Sequence, residues 1–220
     1  DHAYELETTL REKNKTELLQ QLLAATPKAG TTSFVRQQTP SGLGHAVWCA
    51  RDVIGDEPFA VLLPDMLVKA APSCLKQMVE AYEKVGGNII AVEPTDNPSG
   101  YGVIDPAERA GGLSRMKGMV EKPKAGTEPS NLFITGRYIL QPEIFDLLGN
   151  QERGAGNEIQ LTDSMARLMR EQSFHALEYD GKSYDCGDKV GYLRAVATYA
   201  LASEEIGADA RKVLEQALKG

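Results

Sequence analysis

The chain has 220 residues, 42% of them hydrophobic and 25% charged, and a formal net charge of −7. That length buries one sizeable core, and the composition is that of a soluble globular protein. The acidic balance argues against a nucleic-acid partner, whose phosphates it would repel, and no apolar run is long enough to span a membrane. Residues 1–20 are acidic and polar where a signal peptide is basic and then apolar. Cys49, Cys74 and Cys186 are scattered and odd in number, which fits a reducing cytoplasm.

In chain order, leucines at 6, 10, 18, 22 and 23 among charges predict an amphipathic helix over 4–23, stopped before Thr26-Pro27. Phe34–Arg36 reads as a short strand, and a glycine turn at Ser41–Gly44 leads into a helix over Ala46–Ile54. The apolar run Phe59–Leu63 predicts a strand covered on both faces, followed by a helix at Ser73–Val85 and a strand at Asn88–Val92. This alternation points to a three-layer α/β sheet. Residues 94–136 are rich in Gly and Pro, with short strands at Tyr101–Ile104, Leu113–Glu121 and Leu132–Tyr138. Helices return at Pro142–Leu148 and Glu158–Arg170. A strand at Phe174–Glu178, a turn at Tyr184–Gly187 and helices near 189–203 and 208–219 close the chain. With no repeat and no linker, one domain is expected.

Few residues stand out chemically. Two glycines between a strand and a helix, in Gln37–Ala46, allow close approach of a planar ligand, or form a plain glycine turn. Asp65 closes an apolar strand at the edge where open α/β sheets bind ligands; it reads as a Mg²⁺ carboxylate or as a cap. Asp185 in Tyr184–Asp188 reads as a turn residue, or as the second carboxylate on the same cation. Pro123 is expected to hold Lys122 out of the helical region, so that acid and base are displayed on strand-end backbone. Glu121 and Lys122 could then meet sugar hydroxyls and a phosphate, or form an ordinary surface ion pair. The three histidines form no cluster, so neither a zinc site nor a Ser-His-Asp triad is supported.

Taken together, YELETTL, QQTPSGLGHAV, VLLPD, YGVID, VEKPKAGTEPSNLFITGRYIL, GAGNEIQLTD and YDCGDKVGY resemble, in order, the bacterial UTP–glucose-1-phosphate uridylyltransferases, over essentially the whole chain. The resemblance implies a Rossmann-like nucleotidyltransferase fold in three α/β layers. Its sheet would be mixed and mostly parallel, in a single domain over 1–220 with a strand-rich sugar-binding region at about 94–140. It implies that Gln37 and Gly42 read the uracil edge of UTP, with the Leu43 backbone nearby. Asp65 and Asp185 would bind Mg²⁺, and Gly102, Glu121 and the Ile134 backbone would contact glucose. Lys122 would meet the sugar phosphate and, with the two aspartates, make up the catalytic set. The implied reaction is attack of a glucose-1-phosphate oxygen on the α-phosphorus of UTP, giving UDP-glucose and pyrophosphate, in a homo-oligomer (dimer or tetramer).

Two departures stand beside the resemblance. Gln38 replaces a glycine common after the uracil-reading glutamine, and the family's G-x-G-T-R loop with its lysine does not occur in these 220 residues. The sheet is therefore expected to lack its N-terminal strand(s), and the chain alone to be inactive. The alternatives are a non-catalytic regulatory homologue of the same fold and a nucleotidyltransferase for another sugar phosphate. Joint presence of Asp65, Glu121, Lys122 and Asp185 favours catalysis.

Overall fold

A computed structural model describes residues 2–107, 112–150, 152–154 and 157–219. Its contacts divide the chain into two units, Asp1–Gln38 and Thr39–Gly220. Among the described residues, no helix is long and apolar enough to cross a membrane.

In the first unit the predicted helix 4–23 is two helices, α1 (Tyr4–Glu12) and α2 (Thr16–Ala25). The break is at Asn14, whose φ of +52° only a glycine or a short polar side chain adopts readily. The Asn14 and Lys15 amides reach back to the carbonyls of Arg11 and Leu10, at 3.1 and 2.8 Å, which closes α1 with a Schellman motif. Leucine periodicity runs through the break, so pattern alone could not find it. The predicted strand at Phe34–Arg36 is not formed, and the Phe34 side chain is 88% exposed.

The second unit opens with α3 (Leu43–Trp48) and α4 (Arg51–Ile54), in place of the single predicted helix Ala46–Ile54. Strands β1 (Phe59–Leu62) and β2 (Met66–Lys69) precede α5 (Cys74–Val85), which Ser73 caps by accepting the Lys76 amide at 3.3 Å. Next come β3 (Asn88–Pro94), β4 (Gly102–Pro106), β5 (Leu113–Glu121) and β6 (Leu132–Leu140). The chain continues through α6 (Ile144–Gly149), α7 (Leu161–Leu168), β7 (Phe174–Glu178) and β8 (Lys182–Asp185). It ends with α8 (Lys189–Leu201) and α9 (Gly207–Ala217).

Six strands form one mixed sheet in the order β1-β6-β3-β7-β5-β4, and β2 pairs with β8 in a separate ribbon. The α/β class and the mixed sheet hold, but the mostly parallel sheet does not: among the described residues β3–β7 is its only parallel pair. The cause is local. Parallel neighbours need a long crossover, whereas β4, β5 and β6 follow one another with no intervening α-helix among the described residues. Strand β6 then runs antiparallel between β1 and β3, separating two strands that point the same way. It also leaves β1 at the sheet edge, half-buried and exposed in alternation, rather than covered on both faces as expected.

Alternation along β3 shows the layers. Ile90 and Val92 pack with Leu148, Leu161 and Met165 from α6 and α7, while Ile89 and Ala91 pack with Met78 and Ala81 from α5. On the α5 face, burial pushes the Cys74 thiol up to about 11, leaving it inert. The same face buries Glu93, which accepts the Tyr179 hydroxyl, the Ser183 amide at 2.6 Å and the Lys182 ammonium at 3.0 Å. Glu93→Ala is expected to cost about 3 kcal/mol in urea unfolding, because it strands these donors at a buried site. A loss below about 1 kcal/mol would show that the cluster contributes little.

On β7, the buried His175 Nδ1 has no hydrogen-bond partner. Burial, then the Arg115 charge, holds its pKa below the ordinary value. The unfolded chain takes that proton near pH ~6.5 and the folded chain only at lower pH. Stability present above that range is therefore lost as pH falls through the folded pKa. His175→Gln is expected to flatten the fall in urea midpoint between about pH 7 and 5. An unchanged profile would remove His175 as its source.

Candidate active site

Beyond Leu62 the chain turns through Pro64 and Asp65 straight into β2. Met66 lies opposite Asp185 in the β2–β8 ribbon, and the Cys186 amide donates to the Asp65 carbonyl at 2.7 Å. This pairing brings together two aspartates 120 positions apart in sequence. Asp185 Oδ1 and Asp65 Oδ2 lie 2.9 and 3.7 Å from the point where a Cβ on Gly187 would stand. Asp185 is oriented by its neighbours: Oδ1 accepts the Gly187 amide at 2.8 Å and Oδ2 the Tyr101 hydroxyl at 3.1 Å. Burial, then the Asp185 charge, raises the Tyr101 pKa, so the phenol stays a donor. The exposed Asp65 carboxylate has no hydrogen bond or ion pair among the described residues.

Strand β5 pairs with β7 only over Leu113–Arg115; its far half pairs with β4, setting Glu121 opposite Gly102. A Val103–Phe133 bridge ties β4 back to β6 and brings this end over Ile134. A Cβ on Gly102 would stand 3.1 Å from Ile134 Cδ1 and 3.2 Å from Glu121 Oε2, so a larger residue would crowd the carboxylate. Glu121 Oε2 accepts the Thr162 hydroxyl at 2.7 Å. Lys122 is held out of the right-handed helical region, as expected, but with a φ of +43° rather than a strand value; the Tyr101 carbonyl fixes its amide at 3.0 Å. The left-handed conformation costs a lysine roughly 1–2 kcal/mol, strain of the kind held at functional sites. Its exposed ammonium pairs with neither Glu121 nor any other described carboxylate, so the plain surface ion pair is not formed.

Asp65, Gly102, Glu121, Lys122, Ile134 and Asp185 all line one cleft of about 270 Å³, with Leu43 at its wall. Residues 7–201 match the nucleotidyl transferase family. A UTP–glucose-1-phosphate uridylyltransferase of Bacillus subtilis is 47% identical over 208 residues, covering 94% of this chain and 71% of the relative. Its namesake 2 in Staphylococcus saprophyticus is 46% identical, covering 94% and 72%. The chain belongs to the UTP–glucose-1-phosphate uridylyltransferase family. Among solved structures, a UDP-glucose pyrophosphorylase from Acinetobacter baumannii superposes with a TM-score of 0.88 at 39% identity, over 98% of this chain and 76% of that one.

Not every expected uridylyltransferase residue meets at the cleft. Gly42 lies outside its lining. Its φ of +96° and the place of a Cβ, 2.8 Å from both Glu158 Cβ and the Ile159 carbonyl, show a glycine required by packing. Gln37 belongs to the first unit, and Ala155 and Gly156 of the GAGNEIQLTD motif lie outside the described residues. Sequence reading also missed two residues of the cleft. Tyr101 opens an expected strand and Thr162 is one letter of a motif; nothing in either spacing shows that each hydroxyl holds a carboxylate.

Proposed function

We propose that this chain transfers a uridylyl group from UTP to glucose-1-phosphate, giving UDP-glucose and pyrophosphate. The observation that carries the reading is the meeting of Asp65 and Asp185 with Gly102, Glu121, Lys122 and Ile134 in one cleft of a family member. One solved neighbour is a UTP-bound UGPase from Acinetobacter baumannii (TM-score 0.86, 38% identity, 97% of this chain and 75% of that one), and another carries UDP-glucose.

The donor set fits Mg²⁺. Among the described residues no group of three or more side chains could cage a metal, whereas two carboxylates converge beside Gly187. Mg²⁺ is commonly held by one or two carboxylates, with substrate phosphates and water completing its shell. Asp65 and Asp185 would hold it, and it would supply charge neutralisation at the polyphosphate. Glu121 accepts glucose hydroxyls, oriented by Thr162, while the Ile134 backbone and bare Gly102 fit the sugar ring within region 94–140. Lys122 places its unpaired ammonium against the sugar phosphate, holding it for in-line attack on the α-phosphorus of UTP. The Leu43 backbone, at the wall of the same cleft, takes the uracil, with Gly42 next to it in the chain. No protein nucleophile is needed; the chain's contribution is positioning and charge.

The same reading places the reaction in the cytoplasm and in a homo-oligomer, a dimer or tetramer. The latter is supported by α8, whose Val190, Tyr192, Leu193 and Val196 remain exposed. The test is pyrophosphate release by the full-length protein with Mg²⁺ and UTP, comparing glucose-1-phosphate with other sugar phosphates, alongside UDP-glucose binding. Turnover selective for glucose-1-phosphate supports the proposal. Turnover only with another sugar phosphate, or UDP-glucose binding without turnover, would replace it with one of the two alternatives.

A further inference from the structure

Asp65 raises a question of placement. Its carboxylate is exposed and makes no hydrogen bond or ion pair among the described residues, so its position is set by the main chain. That main chain is a turn between an edge strand and a four-residue ribbon strand, and Pro64 removes one of its amide donors. Such a segment drifts unless its remaining backbone groups are fixed.

The Asp65 carbonyl is fixed by the Cys186 amide at 2.7 Å, and the carbonyls on either side of the turn are fixed by one side chain. The Arg137 guanidinium donates through Nη1 to the Leu63 carbonyl at 2.8 Å and through Nη2 to the Met66 carbonyl. It thus spans the two residues between them, Pro64 and Asp65. Nη1 also reaches the Gly136 carbonyl at 3.0 Å, and that same carbonyl accepts the Leu63 amide at 3.0 Å. Turn, guanidinium and β6 therefore close into one hydrogen-bonded unit. Arg137 sits where β6 departs from regular pairing with β3: Ile90 faces Tyr138 and Val92 faces Ile134, leaving extra residues of β6 between them. This bulge is the device that aims the side chain at the turn.

Arg137 makes no ion pair with a carboxylate among the described residues. Its donors are spent on carbonyls, an unusual use of a planar cation that normally seeks carboxylate or phosphate. A purely structural clamp needs no such charge. The planar fork can, however, bond two carbonyls on either side of a turn at once, which a single lysine ammonium at the end of a flexible stem does less rigidly.

We infer that Arg137 is a positioning residue for the cation site: by bracketing Asp65 through the Leu63 and Met66 carbonyls, it holds that carboxylate where it shares a divalent ion with Asp185. The inference rests on the metal role proposed for the two aspartates. It acts on the Asp65 side of the ribbon; the Asp185 carboxylate has donors of its own in the Tyr101 hydroxyl and the Gly187 amide. Groups that orient a metal's ligands typically change affinity or activity by about 10–100-fold when removed.

The test uses Mn²⁺ alone as the probe, titrated into the full-length protein with free ion counted by electron paramagnetic resonance. Arg137→Gln is expected to weaken Mn²⁺ binding by about tenfold and Arg137→Lys by less, with UTP-independent affinity for UDP-glucose falling little in comparison. In an Asp65→Asn background the Arg137→Gln change is expected to have no further effect on Mn²⁺ binding, since the ligand it serves is already gone. If Arg137→Gln does not fold, Arg137→Lys carries the test in the same two backgrounds. Parental Mn²⁺ affinity in a folded Arg137 variant overturns the inference, as does an equal loss with and without the Asp65 carboxylate. If Asp65→Asn alone leaves Mn²⁺ binding unchanged, it is the metal role of Asp65 that fails, which separates the two results.

Discussion

Asp65→Asn and Asp185→Asn are each expected to lower UDP-glucose synthesis by about 100-fold or more while leaving the protein folded. Asparagine keeps the shape and hydrogen-bonding reach of aspartate but removes the charge that a hard cation requires. The fold has little at stake in either carboxylate. Among the described residues the exposed Asp65 carboxylate makes no hydrogen bond or ion pair, and the Asp185 carboxylate accepts from Tyr101 and the nearby Gly187 amide. An asparagine oxygen can still accept from one of those donors. The two losses are also expected to be non-additive, because removing one ligand of a shared ion disables the other. The measurement is kcat for pyrophosphate release, with melting temperature as the control for folding. Near-parental turnover in both single variants would sink the shared-cation reading. A strong loss in Asp185→Asn alone would reduce the site to one carboxylate.

How legible this site was in the sequence depended on whether local or long-range pairing placed each residue. Strands β5 and β7 match their expected limits because Leu113–Glu121 and Phe174–Glu178 are bounded by glycine or polar turns that act locally. The central β3 was legible for a different reason: its middle, Ile89–Val92, is buried on both faces and is a continuous apolar run. The ribbon that matters most for chemistry was not. Strands β2 and β8 have four residues each, MLVK and KSYD, and neither carries a pattern of its own. They exist because they pair across more than a hundred residues, and Asp185 was accordingly read as part of a turn. Direction of pairing was equally hidden. The resemblance implied a mixed, mostly parallel sheet, but the insertion of β6 between β1 and β3 is a topological fact that no single segment encodes. The residues that hold the carboxylates, Tyr101, Thr162 and Arg137, were missed on the same ground. Their value lies in what they reach across the fold.

Glu121→Gln and Lys122→Ala are expected to damage the reaction in different ways. Glu121 is a half-buried carboxylate with one oxygen bonded to Thr162. In the proposed reading its remaining acceptor capacity meets sugar hydroxyls. A hydrogen bond to a charged group contributes about 1.5–3 kcal/mol, so the glutamine variant is expected to raise KM for glucose-1-phosphate by about tenfold or more. KM for UTP is expected to change little. In the proposed reading Lys122 faces a phosphate in ground state and transition state alike, and its strained backbone presents an ammonium that no carboxylate among the described residues neutralises. Its removal is therefore expected to raise KM for glucose-1-phosphate and lower kcat together, with kcat/KM falling by about 10²-fold or more. Relief of the left-handed strain does not offset this, since alanine has the same Cβ and suffers the same clash. The decisive comparison is the ratio of the two KM values in each variant. If Glu121→Gln affects UTP and glucose-1-phosphate equally, Glu121 acts by supporting the end of β5 rather than by reading the sugar. If Lys122→Ala raises KM with kcat unchanged, its charge assists binding but not transfer, and the positive charge that steadies the attacking phosphate must come from elsewhere.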